Sequence, residues 1–155
     1  MKKNKGRISM IITQYMRDEH RACDELFADA EKSVIDGDFG KAKDQFLLFA
    51  DETLRHFKKE EEALFSTFEK LTGNAEGPTR VMRFEHEQVR GLLGKMAQSV
   101  ENTDKDAYLS LAESMMILLQ QHNMKEEQML YAMCDRVIPQ DVKEETLATM
   151  KAIEL

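Results

Sequence analysis

The chain has 155 residues, 42% hydrophobic and 33% charged, enough for one domain with a real core and unlike a disordered or membrane-embedded composition. Its 22 basic and 29 acidic residues leave a net charge of −7, which disfavours nucleic-acid binding by phosphate neutralisation. Only 2 prolines and 7 glycines stand among abundant Met, Leu, Glu, Lys and Ala, so an all-α fold is predicted.

Residues 1–7, MKKNKGR, are basic and read as a flexible N-terminus. The apolar stretch from Ile8 to Met16 contains Thr13 and Gln14 and runs into RDEHR without a small-residue cleavage site, so no signal peptide is expected. A first helix is predicted from about Ile8 to Val34, ending at DGDFG. A second runs from about Phe39 to Leu71 and ends at TGNAEGP, where Gly73 suits a helix C-terminus and Pro78 the first turn of the next helix. The third spans about Thr79 to Ser99 and stops at ENTDKD. Thr103 and Asp106 have capping-box spacing for the fourth, which reaches about Asp135. Pro139 interrupts, and DVKEETLATMKAIE reads as a short fifth helix covering one end of the bundle.

Short connections between long helices predict an antiparallel up-down-up-down four-helix bundle. Residues 8–155 read as a single domain of two helical hairpins, about 8–71 and 78–135. Apolar residues at helical spacing predict the core: Phe46, Phe49, Ala50, Thr53, Leu54, Phe57, Leu64 and Phe68 on the second helix. On the fourth they are Leu111, Met115, Leu118, Leu119, Met129 and Met133. No apolar run reaches membrane-spanning length. Cys23 and Cys134 do not make a disulfide framework, so a cytoplasmic protein with reduced thiols is expected.

The four histidines carry an internal repeat. His20 and His56 are 36 residues apart, and so are His86 and His122. Glu60 follows His56 by four residues, and Glu126 follows His122 by four. The chain is therefore two copies offset by 66 residues. RDEHR lies over RFEHE, and RHFKKEEEALF over QHNMKEEQMLY. Each His and its i+4 Glu share one helical face. Two such hairpins would pack about a pseudo-two-fold axis and turn their His-x-x-x-Glu pairs toward each other.

A single helical histidine is ordinarily a surface residue or a satisfied core one. Four on one repeat, two with the same carboxylate on a core-facing stripe, are different. Left unpaired in a core they would cost several kcal/mol per ionised group, and a bound dication removes most of that cost. Four imidazole nitrogens and two bridging carboxylates give two nitrogens and two oxygens to each of two ions. Six-coordinate ions would keep room for an oxo or hydroxo bridge and for a small molecule. Such mixed ligation suits iron, with manganese or zinc as alternatives, and does not suit mononuclear structural zinc.

Glu19, Glu61, Glu85 and Glu127 adjoin these positions in symmetric pairs. They could hold the second nitrogens of the imidazoles, but solvent-facing charge is at least as good a reading of each. Tyr131 could bring a hydroxyl near the site, yet its repeat mate is Phe65 and core packing is the preferred expectation. Cys23, mate of Val89, and Cys134, mate of Phe68, are read as small buried apolar residues.

His20, HFKKEE from His56, EH at His86 and HNMKEE from His122 resemble the hemerythrin-like HHE cation-binding family from about Ile11 to Pro139. The resemblance implies a four-helix bundle around a non-haem di-iron centre, with His20, His56, His86 and His122 as terminal ligands and Glu60 and Glu126 as bridging carboxylates. Oxygen carriers of the family have a further histidine one turn after the third-helix ligand; here that position is Arg90. The site is thus more similar to that of di-iron proteins that repair iron–sulfur clusters under nitrosative stress. With seven residues before the first helix, the added N-terminal cysteine-bearing domain of those proteins is not expected.

The expected function is binding or sensing of a diatomic gas, dioxygen or nitric oxide, at a carboxylate-bridged centre. The alternative is a stress-defence enzyme that reduces nitric oxide or peroxide or donates iron to damaged clusters. A protein partner or electron donor would act in trans, with Leu147 and Met150 marking a contact or, as the preferred reading, closing the bundle. No nucleic-acid or membrane partner is expected.

Overall fold

The computed structural model describes residues 8–155; the expectation of a flexible segment at 1–7 lies outside them. Five helices follow one another: α1 (Ile11–Ile35), α2 (39–72), α3 (Pro78–Glu101), α4 (105–137) and α5 (Gln140–Ala152). In ring order α1 packs on α2, α2 on α3, α3 on α4, and α4 back on α1. This is the expected bundle with its short fifth helix. No helix among the described residues is long and apolar enough to cross a membrane.

The two hairpin turns show the repeat at backbone level. At the first, Asp38 accepts from the Lys41 amide and caps α2, and Gly37 takes φ +78°. At the second, Asp104 accepts from the Ala107 amide and caps α4, and Thr103 takes φ +50°. Thr103 is thus not the cap that its spacing to Asp106 suggested. It is the left-handed turn residue, a conformation that strains a β-branched side chain and that glycine adopts freely. Gly73 ends α2 at φ +68° and Pro78 opens α3, both as expected.

The start of α1 is held from a distance. Met10 offers no side-chain cap. Instead the buried Asp135 carboxylate on α4 accepts from the amides of Ile12 and Thr13 at 3.2 and 3.0 Å and from the Thr13 hydroxyl at 2.6 Å. Lys143 of α5 donates to the carbonyls of Ser9 and Asp135 at 2.6 and 2.7 Å. Helix α5 therefore closes this end: Met150 is fully buried and Leu147 packs against the same apolar cluster. Both residues thus pack into the bundle.

Both long hairpin-return helices contain one π-helical turn, Glu60–Leu64 in α2 and Glu126–Leu130 in α4. Each begins at the glutamate of a His-x-x-x-Glu pair, so the two are equivalent under the repeat. One extra residue in a turn rotates everything downstream by about 100°. Sequence periodicity carries no sign of this, and it explains a wrong core assignment. Met129, expected inside, is 63% exposed, while Leu130, Tyr131 and Cys134 are buried in its place.

Apolar packing forms two clusters. One, toward the hairpin turns, contains Phe46, Phe49, Phe57, Met96, Tyr108 and Met115. The other, toward α5, contains Ile12, Met16, Leu64, Phe65, Phe68, Tyr131 and Met150. In the first cluster the repeat mates Ala42 and Tyr108, and Phe46 and Ala112, exchange small for large. Phe46 and Tyr108 meet edge to face with centroids 6.0 Å apart, so the volume is kept.

Candidate metal centre

One helical face each from α1, α2, α3 and α4 supplies His20, His56, His86 and His122, and the turns after the second and fourth histidines supply Glu60 and Glu126. The structure brings all six together, buried, with both glutamates wholly shielded from solvent. They fall into two donor groups that could each hold an ion: His20, His56 and Glu126, and His86, His122, Glu60 and Glu126. The imidazole centroids are 4.7 Å apart in the first pair and 5.0 Å in the second.

Each glutamate reaches both groups. Glu60 Oε1 lies 3.4 Å from His56 Nε2 and 3.1 Å from His86 Nε2. Glu126 Oε1 lies 3.2 Å from the Nε2 atoms of both His20 and His122. One oxygen of each glutamate thus faces an imidazole from each half of the chain.

The other nitrogen of every imidazole is held by a carboxylate. His56 Nδ1 pairs with Glu19 at 2.9 Å and His122 Nδ1 with Glu85 at 2.8 Å. His20 Nδ1 pairs with Glu127 at 2.7 Å and His86 Nδ1 with Glu61 at 2.6 Å. These four glutamates are therefore structural partners of the histidines and not merely solvated charge. Each in turn holds a cation: Lys59 on Glu19, Lys125 on Glu85, Arg17 on Glu127 and Arg90 on Glu61. Arg90 contacts both Glu61 oxygens, at 2.9 and 3.1 Å, and lies over the Phe57 ring. The third-helix position where an extra histidine was sought thus orients a carboxylate instead.

With Nδ1 donating, a neutral imidazole must present an unprotonated Nε2. All four Nε2 lone pairs then face carboxylate oxygens that, when ionised, carry no proton to donate. Glu60 Oε1, His86 Nε2, His122 Nε2 and Glu126 Oε2 are buried without a hydrogen-bond partner. Such an arrangement is satisfied by cations and costly without them. Protons are the alternative cation. Burial alone would lower the His20 imidazole, but Glu126 and Glu127 outweigh it and lift it to about 10; Glu60 and Glu61 likewise lift His86 to about 9. Burial pushes the Glu60 carboxyl up, and the charge of Glu126 adds to that. Burial also opposes ionisation of Glu19 and Glu61, yet the hydrogen bonds from His56 and His86 hold each at about 2.

Tyr131 packs in the core as preferred, but its hydroxyl also reaches the donor set, the role that was set aside. In an α-helix, a residue five beyond Glu126 lies about 140° round the axis. The π turn brings it back, and the Tyr131 amide bonds to the Glu126 carbonyl. The hydroxyl enters the donor cluster, 2.7 Å from Glu60 Oε2 and 2.8 Å from Glu126 Oε1. It is also 3.2 Å from His20 Nε2 and 3.4 Å from His56 Nε2.

Cys23 is only half-buried and sits beside the centre rather than in the apolar packing. With His20, Thr53, His56, Leu119 and Asn123 it lines a cavity of about 10 Å³, room for roughly one water. Burial pushes its thiol up to about 12, so it is not a ready thiolate ligand. Cys134 is buried as expected.

The Hemerythrin HHE cation binding domain matches residues 11–134. The chain belongs to that family, whose name and the buried His/Glu cluster together indicate metal binding. No curated protein and no solved structure matches it.

Proposed function

We propose that this hemerythrin-family chain holds two iron ions, sharing an oxo or hydroxo bridge, and binds or senses a diatomic gas, dioxygen or nitric oxide. The observation that carries the reading is the convergence of four Nε2 atoms on two buried glutamates, each of which faces an imidazole from both halves. His20, His56, His86 and His122 are the terminal ligands and Glu60 and Glu126 the bridges. Nitrogen and oxygen donors without a thiolate favour iron, with manganese or zinc as competitors. When bound, the pair of ions supplies open coordination and two adjacent redox centres to a small ligand.

The protein's part is orientation and exclusion. The Glu19, Glu61, Glu85 and Glu127 carboxylates keep the imidazole rings turned with Nε2 inward. Phe57 and the half-buried Leu119 lie against the histidines, and the apolar cluster that continues through Phe49 and Met115 toward the hairpin turns keeps bulk water away. Phe57 stacks on His86 at 3.8 Å and fixes that ring further. Free Cys23 and Cys134 accord with a reducing, cytoplasmic setting, and a signalling partner or electron donor acts in trans.

Anaerobic purification, iron analysis and optical spectra before and after dioxygen, then nitric oxide, test this reading. Two irons per chain and a reversible adduct are expected. Turnover with an added electron donor, or iron transfer to an apo-protein, would favour the stress-defence enzyme instead. Fewer than about one metal per chain at any loading would remove the dinuclear site.

A further inference from the structure

The repeat predicts two equal halves, but Tyr131 breaks the equality. Its oxygen has four neighbours, Glu60 Oε2, Glu126 Oε1, His20 Nε2 and His56 Nε2, at 2.7 to 3.4 Å. A phenol has one proton to donate. Both carboxylate oxygens are acceptors, and in the neutral imidazoles that a metal ion requires, with Nδ1–H donated to Glu127 and Glu19, both Nε2 atoms are acceptors too. One proton cannot satisfy four acceptors crowded round one oxygen. A cation among them can.

The spacing agrees. Donors about 2.1 Å from one transition-metal ion and at right angles to each other lie roughly 3.0 Å apart. The four separations bracket that value. At the equivalent position of the other half stands Phe65, stacked near His86 with no oxygen to offer.

Resting on the di-iron reading above, we propose that the Tyr131 oxygen is itself a ligand of the ion held by His20 and His56. That ion then has five protein donors, while the ion at His86 and His122 has four. The phenolic proton leaves to solvent when the ion binds. The less crowded ion, at His86 and His122, keeps the position open to the gas.

The test uses the full chain loaded with iron and oxidised, with iron content, visible absorption and resonance Raman measured together. The expected result is two irons per chain and a phenolate-to-iron charge-transfer band with enhanced ring modes of a coordinated phenolate. The band falls to background in Y131F and persists in Y15F/Y108F, which leaves Tyr131 as the sole one of the 3 tyrosines. If Y131F fails to fold, Y15F/Y108F decides: a retained band can come from no other residue. A two-iron protein without the band, or a band unchanged in Y131F or lost from Y15F/Y108F, overturns the ligand assignment and leaves the di-iron reading intact. A wild-type chain that takes up no iron overturns both.

Discussion

The two halves of the centre share their donors but not their surroundings. Around His20 and His56 stand Tyr131, Asn123, Cys23 and Thr53, with Phe57 and Leu119 in the same cavity wall, whereas Phe57 and Phe65 stack on His86. The repeat mates of Tyr131, Asn123, Cys23 and Thr53 are Phe65, Phe57, Val89 and Leu119, an apolar residue in each case. The 66-residue repeat gives the two positions matching imidazoles and carboxylates. The Tyr131 hydroxyl and the small cavity beside His20 and His56, against the Phe57 and Phe65 rings stacked on His86, then make the two positions chemically different.

The largest effect is expected from removing what both halves share. Chelation should cost several kcal/mol, because ions that bind only the folded chain stabilise it. At roughly 2–4 °C per kcal/mol for a chain of this size, the melting temperature should fall by about 10 °C or more. Glu126→Ala should reproduce the loss of both ions in metal analysis, since Glu126 faces an imidazole from each half. Retention of a full complement by that variant would contradict a shared bridge.

The next contrast lies at Asp135 and its repeat mate Glu69. Asp135 is buried and caps α1, whereas Glu69 pairs with the half-exposed Arg83 at 3.1 Å. Asp135→Ala leaves two amides and the Thr13 hydroxyl without their partner, removes the carboxylate 3.6 Å from Lys143 Nζ, and should cost about 2–4 kcal/mol in urea unfolding. Glu69→Ala should cost less than about 1 kcal/mol. Equal costs would mean that the remote cap contributes nothing special.

Smaller again, Glu61→Ala should weaken iron retention in a chelator competition by about 10–100-fold, as loss of a partner behind a ligating imidazole does. The two hairpin turns offer the finest comparison. Thr103→Gly gives the second turn the residue already present in the first. It should raise stability by about 0.5–1 kcal/mol by relieving the left-handed strain, and unchanged or lower stability would show that the turn is not strained.

Much of this was readable from the residues alone. The 36-residue spacing and i+4 glutamates located the donors, and Gly73, Pro78 and the turn motifs bounded the helices to within a few residues. The π turns were not readable, because an extra residue in a helical turn leaves hydrophobic spacing intact on either side of it. Hence Met129 was placed inside and Tyr131 kept out of the donor set. The orienting role of Glu19, Glu61, Glu85 and Glu127 was likewise undecidable. A glutamate beside a histidine in sequence points about 100° away from it, and the partner it meets belongs to a different helix. His20 with Glu127 and His86 with Glu61 could be matched only once the helices were packed.

The split of the apolar packing into two clusters has an engineering consequence. Side chains at opposite ends, such as Val34 or Val100 at one and Phe68 or Met150 at the other, belong to different clusters. Substitutions that share no partners combine additively. Each end can therefore be retuned for melting behaviour, solubility or attachment to a surface as an independent module, with the charged layer between them left untouched.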